Sequence, residues 1–115
     1  MKATIYHNPN CSTSRGALAI LREKAIEPVV IEYLKTPLDR AELKALVAKL
    51  GVPAREVVRW KEKDTVADAG ITPDSPEGAL LEAMARFPIL MNRPIVVTAK
   101  GAKLCRPSDS VVEIL

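Results

Sequence analysis

An α/β fold built on a four-stranded mixed sheet is what this sequence predicts, and three observations carry that expectation. Two apolar runs, Ala3-Thr4-Ile5-Tyr6-His7 and Val29-Val30-Ile31-Glu32-Tyr33, bracket a helical pattern. Strand, helix, strand at that length makes a βαβ unit with parallel strands and a right-handed crossover. Near the other end, Ile95-Val96-Val97-Thr98 and Lys103-Leu104-Cys105 are separated by a Lys100-Gly101 turn and read as a β-hairpin. Between the halves, from about residue 39 to 87, apolar residues recur at helical spacing instead.

Each element has a local reason. Pro9 ends the first strand, and a helix from Ser12 to about Lys24 follows, with Leu18, Ile20 and Leu21 near one face. Ser12, Thr13 or Ser14 can satisfy its first orphan N–H groups. Pro28 disfavours helix at Glu27 and opens the second strand. Asp39 followed by Glu42 has the form of a capping box, Leu43, Leu46, Val47 and Leu50 give the helical stripe, and Gly51 stops it. Pro53 suits the first turn of a third helix, Ala54 to about Trp60, whose apolar members are Val57 and Val58. Lys61–Gly70 is polar and aperiodic, so a loop or a loose turn is expected. Ser75-Pro76-Glu77 reads as an N-cap with Pro at the first helical position, for a helix to about Phe87 whose apolar stripe is Leu80, Leu81, Met84 and Phe87. After Arg106-Pro107, a last helix carries Val111, Val112, Ile114 and Leu115. A βαβ unit at one end and a ββα unit at the other is the thioredoxin arrangement, here with a helical insert at about 39–87.

Bulk properties narrow the function. The chain, residues 1–115, is long enough for one domain with one core. Its only aromatics are Tyr6, Tyr33, Trp60 and Phe87, so the core is aliphatic and stacking platforms for single-stranded bases are few. A net charge of +3, from 17 basic and 14 acidic residues, is too weak a bias for nucleic acid or membrane but suits a small anion if the arginines converge. No run approaches the roughly 18 apolar residues of a membrane span, and no signal peptide is visible. Two cysteines make no disulfide framework, and with a single histidine they are a poor metal set. A cytoplasmic location and no bound metal are the expectations.

The stretch His7-Asn8-Pro9-Asn10-Cys11-Ser12-Thr13-Ser14-Arg15 places a thiol where a helix begins. Helix N-termini favour anions, and a thiolate is one. Half ionisation of an ordinary thiol at pH 7 takes roughly 2 kcal/mol, whereas a helix terminus supplies about 0.3–1 kcal/mol, or up to ~2 when partly buried. Nearby donors must supply the remainder, and His7, Ser14 and Arg15 are the local candidates: His7 can donate a proton or carry charge near the sulfur, and the Ser14 hydroxyl, one turn on, can point back at it. The polar turn around Cys11 argues against a buried structural cysteine; Cys105, beside Leu104 at a strand end, is read as structural. Ser14 occupies the second position of a Cys-x-x-Cys, so no short internal disulfide can form and an external thiol must resolve Cys11. Ala17 stands where a phosphatase-like loop would need Arg. A papain-like pairing with His7 has no residue placed to orient it.

Arg59 ends the expected third helix, while Arg93 and Arg106 each precede a proline on either side of the hairpin. Proline stiffens the backbone beside each guanidinium, which helps hold a bidentate fork on a tetrahedral oxyanion. In a thioredoxin-type sheet the entry to the third strand lies beside the first helix, so Arg93 would face Cys11 and Pro94 is a candidate for a cis bond.

Three motifs, His7-Asn8-Pro9-x-Cys11-x-x-Ser14-Arg15, Asn92-Arg93-Pro94-Ile95-Val96-Val97 and Leu104-Cys105-Arg106-Pro107, resemble those of the glutaredoxin-linked arsenate reductases, and the likeness extends over essentially the whole chain. The resemblance implies that Cys11 attacks arsenate to form a thiol–arsenate ester. Glutathione then adds as co-substrate, and glutaredoxin reduces the arsenic so that arsenite leaves, an arsenic-detoxifying reaction with no tightly bound cofactor. It further implies that Arg59, Arg93 and Arg106 bind the oxyanion and that His7 and Ser14 favour the thiolate. The chain departs from the best-known members at Trp60-Lys61-Glu62, where they carry Lys-Asn, and in the segment up to Gly70. Two alternatives stand beside this reading: a related glutathione-dependent thiol oxidoreductase with another substrate, and an Spx-like transcriptional regulator of the same fold, whose usual Cys-x-x-Cys is broken here by Ser14.

Overall fold

The structure, a computed structural model, describes residues 1–115. Its four-stranded sheet has the order β2-β1-β3-β4, with β1 Ala3–His7, β2 Val29–Glu32, β3 Ile95–Thr98 and β4 Gly101–Leu104. β1 pairs parallel with β2, bringing Ile5 opposite Val30, and antiparallel with β3, bringing Ile5 opposite Val96. β3 and β4 form the antiparallel hairpin. This is the mixed thioredoxin-like sheet that the sequence predicts.

Contacts divide the chain into two compact units, Met1–Thr36 with Arg93–Leu115, and Pro37–Asn92. The first holds the sheet and helix α1, Ser12–Glu23. Along β1 the side chains alternate, and Ala3, Ile5 and His7 point to the buried face. Ala17 and Leu21 of α1 pack there with Val96, Cys105 and Val111, while Leu18 and Ile20 are only partly covered. The buried stripe of α1 is therefore Ser14, Ala17 and Leu21, so of the expected Leu18, Ile20 and Leu21 only Leu21 is fully buried. Truncating the fully buried Leu21 to Ala would cost about 2–5 kcal/mol. The last apolar segment, Ser108–Ile114, is a 3-10 helix and not an α-helix. It lies close on α1: a Cβ added to Gly16 would sit 2.6 Å from Ser108 Oγ.

The second unit is the helical insert. Helix α2, Arg40–Leu50, starts with the expected capping box, since Asp39 accepts from Glu42 N–H at 2.8 Å and Glu42 accepts from Asp39 N–H at 3.1 Å. Gly51 ends it in the left-handed region at φ 69°. Leu43, Leu46 and Val47 pack with Leu80, Leu81 and Met84 of helix α4, Glu77–Arg86.

Three boundaries in this unit differ from the sequence reading. The Ala54–Trp60 helix is only a 3-10 turn, Ala54–Glu56, after which Val58 bridges to Met91. Lys63–Ala69 is a helix, α3, with Gly70 at φ 68° as its cap. It buries no residue, so no apolar period announces it. The N-cap of α4 is Pro76, and Ser75 instead accepts from Thr72 N–H at 2.9 Å. No helix is long and apolar enough to cross a membrane.

Candidate active site around Cys11

Cys11 is itself the N-cap of α1, with extended backbone at φ −98° and ψ 119°. Its N–H donates to Asn8 C=O at 3.0 Å, and its C=O accepts from Arg15 N–H at 3.0 Å, so the thiol leaves the backbone where strand, turn and helix meet. The thiol makes no side-chain cap hydrogen bond, but the N–H groups of Thr13 and Ser14, orphaned at the helix start, favour its thiolate. Arg106 reaches it from the far end of the chain, with Nη1 3.8 Å from Sγ. Burial pushes the Cys11 thiol up. The Ser14 N–H, the Arg106 guanidinium, the Thr13 N–H and the Arg93 charge together outweigh that and hold it below the ordinary thiol value.

Arg106 meets the backbone of Arg93. Arg106 Nη1 also donates to the Arg93 carbonyl at 2.7 Å, which fixes the exposed guanidinium against the buried strand entry. Arg93 is 6% exposed. Both prolines that follow them have cis peptide bonds, Pro94 as expected and Pro107 in addition.

The local residues act differently from the sequence reading in three respects. Ser14 was expected to aim its hydroxyl at the thiolate. It is fully buried, its Oγ lies 2.6 Å from His7 Nδ1 and accepts from Asn8 N–H at 3.1 Å, and its backbone N–H serves the sulfur instead. His7 was a candidate to carry charge near the sulfur. Burial pushes its pKa below the ordinary histidine range; Glu32 raises it less, and Arg22 and Arg15 lower it further, so the imidazole is neutral at pH 7. Arg15, expected to favour the thiolate, donates from Nη1 to the Pro9 carbonyl at 2.9 Å and braces the turn.

Arg59 belongs to the helical insert. Its N–H donates to Leu90 C=O at 2.7 Å, and its Nη1 donates to Asn92 Oδ1 at 3.2 Å. Glu62 lies 3.5 Å from Arg59 Nε, an attraction between charges without a hydrogen bond at that buried nitrogen. Trp60, the residue that departs from the resemblance, donates from Nε1 to the Arg55 carbonyl at 2.8 Å.

Cys105 is fully buried and donates to Lys103 C=O at 3.4 Å. Burial pushes its thiol up to about 11, with Lys103 opposing weakly. No group of three or more His, Cys, Asp or Glu side chains is arranged to hold a metal ion.

Asn8 and Ser108 were not singled out from the sequence. Asn8 is 4% exposed; its Oδ1 accepts from Asn10 N–H at 3.0 Å, which shapes the turn before the thiol. The pairing of Asn with a following Pro-Asn is a turn signal that could have found it. Ser108 donates to Thr13 C=O at 2.7 Å and pins the first turn of α1. Ninety-five positions separate that pair, and no local pattern marks it.

Comparison with known proteins sets this geometry in context. A model of the ArsC family matches residues 6–114. An arsenate reductase of Rhizobium meliloti is 50% identical over 117 residues, which cover 100% of this chain and 82% of that protein. YfgD of Escherichia coli (strain K12), described as an uncharacterized protein, is 46% identical over 113 residues, 96% of this chain and 94% of that one. Among solved structures, an arsenate reductase from Vibrio cholerae aligns with a TM-score of 0.91 at 43% identity, covering 100% of this chain and 98% of its own.

Proposed function

Because this chain belongs to the ArsC family, we propose that it reduces arsenate to arsenite through Cys11, with glutathione as co-substrate and glutaredoxin as electron donor. The observation that supports this most is the lowered Cys11 thiol at the start of α1 with the Arg106 guanidinium 3.8 Å from its sulfur. A thiolate there repels an arsenate anion unless cations screen it, and Arg106 and Arg93 do so.

In this reading the guanidiniums draw arsenate onto the sulfur. The Cys11 sulfur bonds to arsenic as an oxygen ligand leaves as water, and the arsenic stays pentavalent. The orphan N–H groups of Thr13 and Ser14 favour the thiolate before attack. Neutral His7 orients Ser14, and Arg15 holds the turn through Pro9. Arg59 is assigned the third oxyanion position on the sequence resemblance alone. The whole chain acts as one catalytic domain, and a reducing cytoplasm is the compartment that supplies its thiol donors.

A second reading, a related thiol oxidoreductase for a different substrate, draws on Glu62. Its carboxylate lies 3.5 Å from Arg59 Nε and offsets a charge that the arsenate reading uses. One assay separates the two: NADPH consumption in the presence of glutathione, glutathione reductase and glutaredoxin, with and without arsenate. An arsenate-dependent rate is expected, and its absence would favour the second reading.

A further inference from the structure

A groove of ≈ 660 Å³ opens along α1, walled by His7, Pro9, Arg15, Leu18, Ala19 and Arg22, with Glu23 beside them. The oxyanion chemistry described above does not use it. Residues 15, 18, 19 and 22 form one stripe of the helix, because spacings of three and four stack side chains along one face. Continued back by four positions, that stripe begins at Cys11, whose carbonyl accepts from Arg15 N–H at 3.0 Å. Pro9 and Arg15 carry the groove up to the Cys11 turn, although Cys11 itself does not line it.

Its chemistry is specific. Pro9, Leu18 and Ala19 give an apolar floor. Arg15 and Arg22 are both exposed, and seven positions of α-helix put them about 10.5 Å apart along the axis. Glu23 adds a single carboxylate. His7 lines the same groove while its Nδ1 is engaged with Ser14 beneath the Cys11 turn.

We propose that this groove binds glutathione, an inference that rests on the glutathione-dependent reading above. The tripeptide carries two carboxylates at its ends, for Arg15 and Arg22, and one ammonium, for Glu23; its thiol lies between. Bound there, glutathione presents its sulfur toward arsenic already held on Cys11. A bond forms between that sulfur and arsenic as one oxygen ligand leaves, taking the thiol proton to depart as water. Arsenic becomes trivalent only when a glutaredoxin thiol takes the glutathione sulfur as a mixed disulfide, leaving its electron pair on arsenic. Arg22 presently forks onto Glu27 at 3.1–3.3 Å, and the ligand carboxylate takes the place of Glu27.

S-methylglutathione, which has no free thiol, tests the site in the whole protein without turnover. Titrated into isotope-labelled protein, it is expected to move amide resonances saturably and mainly over residues 15–23. Arg22→Ala is expected to weaken binding about tenfold, the scale of one charge-assisted hydrogen bond, and to raise the glutathione KM alike. Glu27→Ala breaks the same ion pair yet frees Arg22, so its binding is expected to be as tight or tighter. Equal weakening by both variants would make the pair merely structural and overturn the proposal. So would the absence of saturable shifts, or shifts confined elsewhere. Probe binding without arsenate turnover would sink the functional reading and leave the groove; turnover without probe binding would sink the groove alone.

Discussion

Cys11 and Cys105 carry the same side chain and lie in the same compact unit, yet their environments push the two thiols in opposite directions. Burial raises both. At Cys11 the penalty is partial, and two orphan helix N–H groups with two guanidiniums more than offset it. At Cys105 the sulfur is wholly enclosed in the core with Ala17, Leu21 and Val111, and only Lys103, Ser110 and the Val96 backbone oppose the desolvation. What sets the two thiols apart is thus the place where a helix begins, and not the number of thiols present.

The largest effect that tests this contrast is loss of the proposed nucleophile. Cys11→Ser is expected to bring arsenate-dependent NADPH consumption down to background. Cys105→Ala should retain most of the rate with a modestly lower melting temperature. Appreciable turnover in the first variant would overturn the assignment of Cys11, and a collapse of activity in a folded Cys105→Ala protein would make Cys105 a resolving thiol.

A smaller effect separates the cations from the helix. In Arg106→Ala, kcat/KM for arsenate is expected to fall about tenfold to a hundredfold, the range of a lost hydrogen bond to a charged group. The pH midpoint for alkylation of Cys11 by iodoacetamide should rise in the same variant, while Cys105 stays unreactive until the protein is unfolded. An unchanged midpoint would assign the lowered thiol to the helix N–H groups alone.

The smallest effect concerns the neutral histidine. Burial holds His7 below its ordinary value of 6.5, so on acidification the unfolded chain takes up a proton that the folded chain refuses. Its contribution to stability is therefore whole above pH 6.5 and is lost as pH falls through the lowered folded value. His7 is the only histidine, so its imidazole resonances can be followed directly by NMR. A midpoint below 6.5, with denaturation midpoints that decline below that pH, is expected. A midpoint above it would make His7 a cation beside the thiol and weaken the case for the arginines.

Elements with strong local signals were legible in advance. β1, the Asp39–Glu42 capping box, the Gly51 stop and the β3–β4 hairpin each rest on residues within a few positions of one another. Helix α3 was not legible, because Lys63–Ala69 buries nothing and so shows no apolar rhythm. The final segment is apolar enough for a helix, yet it settles into 3-10 turns where Ser108 meets Gly16.

The site divides in the same way. That Cys11 begins a helix, that Ser14 denies it an internal partner, and that Arg93 and Arg106 flank a hairpin are facts of order and spacing, and the sequence alone determined them. Tertiary structure decided which atom does what. Only packing could turn the Ser14 hydroxyl to His7 and leave its N–H for the sulfur, strip His7 of its charge, and swing Arg106 across ninety-five positions to Cys11. The physical reason is that burial and charge–charge attraction depend on distance in space, which the folded sheet sets and which spacing along the chain does not record.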